Sequence, residues 1–161
     1  MVTSVIIPAD ESLAISQQEF NDLRDYQTAV GGFIEAVNID YPAMTFFANE
    51  EGKLLGLPVN RRATILWWLH NPVAYRYDVL VGDTVLIGQP DQHGDSQSVP
   101  SEFVHLLMDT PSFRAEVQTS GPESPWYGNG MRFEDYFSAA AYAVDLSRRW
   151  TQVTRARVVA A

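Results

Sequence analysis

Hydrophobic positions in this chain come in short runs broken by turn residues, and their spacing predicts a mixture of strands and helices. Ser4 to Ala9 gathers β-branched residues and reads as a short buried strand, with Pro8 ending its ladder. Ser16-Gln17-Gln18-Glu19 has the spacing of a capping box, and Ile15 and Phe20 occupy the two positions of a hydrophobic staple. A helix is therefore expected to start at Ser16. Phe20, Leu23, Ala29 and Val30 give it a narrow apolar face, and Gly31-Gly32 should close it. Gly32 to Ile39 and Met44 to Ala48 alternate and predict a hairpin through Asp40-Tyr41-Pro42.

After the polar turn Asn49 to Lys53, Asn60 is a good N-cap for a helix through about Leu69, which Asn71-Pro72 stops. Val79 to Ile87 is apolar on both sides of Gly82-Asp83. It fits a tight hairpin or one bulged strand, with the hairpin slightly preferred. Further on, a helical turn is predicted at Glu102 to Met108, a strand at Phe113 to Thr119, and a strand at Thr154 to Val159. Between the last two, a helix over about Glu134 to Trp150 carries the stripe Phe133, Tyr136, Phe137, Ala140, Val144 and Trp150.

The polar, turn-rich stretch Gly88 to Ser101 divides the chain. The pattern gives an N-terminal α+β module over 1–90, a linker or exposed loop over 91–101, and a strand-helix-strand module over 102–161 packed on the first. The expected class is α+β, a mixed or antiparallel sheet with about three helices packed on it, as one unit or as two small modules sharing one core.

Composition narrows the chemistry. There is no cysteine, so disulfides, thiolate metal sites and thiol nucleophiles are excluded. No apolar run, Ile65 to Leu69 included, approaches the length of a membrane span. With no basic, apolar leader at Met1, a cytoplasmic location is expected. The formal charge of −9 disfavours nucleic acid as a partner. Cations concentrate at the C-terminal end, as Arg148, Arg149, Arg155 and Arg157, and are expected to neutralise the carboxylate-rich N-terminal half.

Three blocks in order, Val30 to Glu35, Asn49 to Thr64 and Gly82 to Gly88, resemble the domain of unknown function 3846 family over roughly residues 4–90. Its members are small proteins of actinobacterial phages, plasmids and chromosomes. Trp126 to Val159 is similar to tails on actinophage relatives. The resemblance implies a mobile-element accessory protein and no activity, cofactor or catalytic residue.

Candidate chemistry is sparse. Asn60, Arg61 and Arg62 could hold a small anion at a helix N-terminus, or Asn60 could cap while the arginines pair with Glu50 and Glu51. Arg148 and Arg149 offer a second anion-binding pair. His70, His93 and His105 lack the spacing of metal ligands, and no catalytic constellation stands out, so no metal, cofactor or catalytic residue is assigned. Trp67 and Trp68 project about 100° apart on one helix, so one core face cannot take both, and a contact with another chain is one outcome. Trp126-Tyr127 is either a lid over the core or a binding anchor. The reading that follows is a non-enzymatic accessory protein that binds a protein partner or itself, as a homodimer, in a host cytoplasm. An anti-defence or host-takeover inhibitor is its specific version. The alternative is a module that binds a small anionic ligand or nucleotide.

Overall fold

The computed structural model describes residues 1–161. Its strands are β1 (Val2–Ile7), β2 (Ser16–Phe20), β3 (Ile34–Asp40), β4 (Ala43–Asn49), β5 (Thr84–Gly88), β6 (Phe113–Gln118), β7 (Tyr127–Gly128) and β8 (Arg155–Ala160). The helices are α1 (Leu23–Val30), α2 (Arg61–His70), α3 (Ser101–Met108) and α4 (Tyr136–Arg149), with a single 3₁₀ turn at Pro72–Ala74. The strands form a five-stranded sheet in the order β2-β1-β5-β4-β3 and a three-stranded sheet in the order β7-β6-β8. Every pairing is antiparallel. The class is α+β, with four helices where about three were expected.

Side chains alternate across β4 and so build two cores. Met44, Phe46 and Ala48 join the larger cluster with Ile65, Leu66 and Leu69 of α2, whereas Phe47 joins the smaller one with Val85 and Ile87 of β5 and Tyr26 and Val30 of α1. Tyr26 stands edge-on between Phe20 and Phe47, with ring centroids 5.1 and 5.0 Å away. Because both faces are covered, β4 and β5 are apolar almost throughout, which is why Val79 to Ile87 reads as one continuous run. Burying a side chain such as Phe46 contributes about 2–3 kcal/mol.

The larger core continues through α2 and α4, which pack on each other, into the three-stranded sheet. Ala139, Ala140 and Ala143 of α4 are wholly buried. Their small side chains let α4 sit close to α2, β6 and β8. Residues from both sides of the 91–101 stretch share this one cluster, and Val99 is buried in it.

Two expectations are corrected. The helix does not start at Ser16: Ser16–Phe20 is an edge strand paired with β1, and Glu19 accepts a hydrogen bond from the Thr3 hydroxyl at 2.8 Å. The capping box lies six residues later, where Asp22 accepts from the Asp25 amide and Asp25 accepts from the Asp22 amide. The helix does end as expected, at Gly31 in the left-handed region (φ 77°). Val79 to Ile87 is not a hairpin. Leu80 accepts from the Asn60 amide and Val81 bridges Val59, so the first half pairs with the segment before α2 while the second half becomes β5.

Candidate functional site

Two buried asparagines bring the three resemblance blocks together. Asn49, at the end of β4, donates to the Val30 carbonyl at 3.2 Å and accepts from the Glu51 amide at 2.9 Å. The Glu50 amide donates to the Phe33 carbonyl at 2.8 Å. Asn60 caps α2 by accepting from the Ala63 amide at 3.0 Å, and its amide nitrogen donates to Ile7 and Gly82 carbonyls at 2.7 and 2.9 Å. Gly82 has φ +72°, a conformation that a side chain would strain, and an added Cβ would stand 2.8 Å from Leu57.

This scaffold holds up an apolar surface that the hydrophobic pattern did not mark. Phe33, Leu54 and Leu55 are 69%, 90% and 61% exposed. Phe33 and Leu55 flank a hollow of about 330 Å³ whose floor includes Gly31, Gly32 and Asn49. Leu54 lies beside Leu55 and lines an adjoining hollow with Glu35, Glu50 and Lys53. Glu51 also borders the first hollow, so the rim is acidic, and Lys53 is paired with Asp78.

The predicted anion-binding cluster does not converge on one point. The Asn60 side chain is wholly enclosed and uses its donors and acceptor within the fold. Arg62 is buried too: its terminal nitrogen donates to the carbonyls of Pro8, Asp10 and Leu13 at 2.7, 3.2 and 2.9 Å. Within that loop, hydrogen bonds from the Ser12 hydroxyl and then the Ser12 amide lower the pKa of Asp10. Arg61 is exposed and pairs with Glu11 at 3.2 Å, not with Glu50 or Glu51.

The two tryptophans of α2 divide as their angular separation requires. Trp67 belongs to the core, whereas Trp68 is half-buried, donates from Nε1 to the Asp78 carbonyl at 2.9 Å, and meets Tyr75 edge-on at 4.7 Å. Trp126 is half-buried with the Arg157 guanidinium 4.0 Å from its ring centroid. Tyr127 is exposed in β7.

Within the chain, the C-terminal arginines make no ion pair with the acidic N-terminal half. Arg149 pairs with Asp145 on its own helix, and Arg157 pairs with Glu116 on β6. Arg148 lies over Tyr75 at 4.4 Å and Arg155 over Tyr41 at 4.3 Å, with no carboxylate within ion-pair distance of either. Beside Arg148 a cleft of about 220 Å³ opens where α2, α4 and β8 meet. His70 stands beside it, its Nε2 buried without a partner, and burial pushes its imidazole down to about 4 against a smaller opposing effect of a Tyr41 backbone hydrogen bond. Tyr136, also buried without a partner for its hydroxyl, has its pKa raised by the same cause.

No group of three or more histidine, cysteine, aspartate or glutamate side chains is placed to hold a metal ion. No helix is long and apolar enough to cross a membrane.

The antiparallel five-stranded sheet with α1 on one face and α2 on the other, its turns fastened by Asn49 and Asn60, is an α+β domain. A family model described as a domain of unknown function (DUF3846) matches residues 2–112, and the chain belongs to that family. The match runs through the 91–101 stretch and α3, beyond the segment that carried the resemblance. No curated protein and no solved structure matches the chain.

Proposed function

We propose that this is a non-enzymatic accessory protein that acts by docking on a different protein through Phe33, Leu54 and Leu55. The observation that carries the reading is three exposed large apolar side chains on neighbouring turns: Phe33 and Leu55 line one hollow with Glu51, and Leu54 lines an adjoining one with Glu35 and Glu50. Single exposed apolar residues are ordinary, but an apolar cluster with a polar rim is the usual form of an interaction site. The rim also selects the occupant. A second copy of this chain would bring carboxylates against carboxylates, whereas an apolar segment flanked by lysine or arginine would meet opposite charge. The formal charge of −9 favours the same partner at long range.

In this reading the protein works in the host cytoplasm, and the mobile-element setting of the resemblance makes inhibition of a host or defence protein its specific form. Sedimentation velocity over a range of concentrations tests the choice of occupant. A monomer at every concentration is expected. A dimer that Leu55→Asp dissociates would assign the surface to self-association instead.

A further inference from the structure

We infer that the cleft at the junction of α2, α4 and β8 binds a small organic phosphate with a flat body, of the size of a nucleoside monophosphate. The cleft is lined by Trp68, Leu69, Pro72, Tyr75, Val144 and Arg148, among others, and has a volume of about 220 Å³. A second hollow of about 220 Å³ adjoins it, sharing Leu69, Pro72, Thr154 and Ala156 and adding Tyr41, His70 and Arg155. Joined, they reach the range of small-molecule sites, roughly 300–1,000 Å³.

Charge decides what fits. Arg148, in the cleft, lies on the Tyr75 ring at 4.4 Å, and Arg155, in the adjoining hollow, on Tyr41 at 4.3 Å. Neither has a carboxylate within 4.0 Å, in a chain with 20 acidic and 11 basic residues. A guanidinium laid on an aromatic face keeps its N–H edge free, and that edge matches a phosphate. Ser147 also lines the cleft.

The structural explanation for these arginines covers only one of them. Arg148 lies in the last turn of α4, where a cation complements the helix dipole. Arg155 is on β8 and gains nothing from that effect.

The opposing charges set the orientation. Asp145 is taken by Arg149 at 2.9 Å, but Asp40 borders the outer hollow beside Arg155. The phosphate therefore belongs at the Arg148 end, with the flat body running toward Tyr41. His70 is neutral near pH 7 and adds no charge. Arg148 and Arg155 lie beyond residue 112, so the site joins the family-matched part to the C-terminal segment.

Isothermal titration calorimetry of the full chain with adenosine 5′-monophosphate, adenosine and inorganic phosphate tests this. Saturable binding of the nucleotide is expected, tighter than that of either fragment and about tenfold weaker in Arg148→Gln. Arg148 is on the surface, and circular dichroism checks that the variant folds. Absence of saturable nucleotide binding, equal affinity for inorganic phosphate, or binding unchanged in the variant overturns the inference.

Discussion

The side-chain amide of Asn60 donates to the Ile7 carbonyl at 2.7 Å and so ties the start of α2 to the end of β1, fifty-three positions away in sequence. The same nitrogen reaches Gly82 just before β5, and the oxygen caps the helix. Asn60→Ala removes a cap and strands two buried carbonyls. The expected loss is about 2–4 kcal/mol, read from the denaturant midpoint. Asn60→Asp keeps the cap and lacks the donors, so it should also destabilise. A loss below about 1 kcal/mol for Asn60→Ala would show that the joint is dispensable.

His70 makes stability depend on pH. Its value is depressed in the folded state, from 6.5 to about 4, so the unfolded chain takes up the proton first. The contribution is fully present above about pH 6.5 and is lost as pH falls toward 4, by up to about 3 kcal/mol. Denaturant unfolding of the wild type and of His70→Phe at pH 7 and pH 5 isolates it from the carboxylates. The gap between the two proteins should change with pH in the direction that disfavours the wild type at pH 5. A constant gap would contradict the burial argument.

Trp67 and Trp68 should respond differently to truncation. Trp67→Ala opens the core and should cost about 3–5 kcal/mol. Trp68→Ala loses one hydrogen bond and an edge contact on a half-buried ring, for about 1–2 kcal/mol. Equal melting-temperature losses would refute the division of roles.

Arg62 holds the loop after β1 through three carbonyls. Arg62→Met keeps the apolar stem and removes those donors. Amide exchange across residues 8–15 should quicken while exchange in β4 and β5 stays slow. Unchanged protection of the loop would show that it is held by other contacts.

Much of the fold was legible because its signals were local. Asn60 as cap, Gly31 as helix end, the β3–β4 hairpin and the α4 stripe of Tyr136, Phe137, Ala140 and Val144 each follow from spacing alone, although Trp150, assigned to the same stripe, is exposed. The failures came where a local pattern had two uses. Ser16 and Glu19 satisfy a capping box, but Ser16–Phe20 pairs with β1 instead and Asp22 with Asp25 caps the helix. Gly82 does mark a sharp change of direction, yet the residues before it pair with Val59 and Asn60, a long-range choice that no window contains.

The candidate sites were less legible for the same reason. Arg62 looks like a surface cation beside a helix start and is instead consumed by carbonyls from a loop far off in sequence. That one core face cannot take both Trp67 and Trp68 was visible, but Tyr75, which covers Trp68, was not. Phe33, Leu54 and Leu55 are scattered singles in turns, and only the folding of 30–35 against 49–57 makes them a surface.

Site-specific photo-cross-linking in the host tests the docking surface most directly. A benzophenone amino acid at Leu54 should give one discrete adduct whose linked peptide, located by mass spectrometry, is apolar and flanked by lysine or arginine. Leu55→Asp should abolish that adduct, and the same cross-linker at exposed Tyr127 should not give it. No adduct at Leu54, an adduct to a second copy of this chain, or the same adduct from both positions would contradict the account.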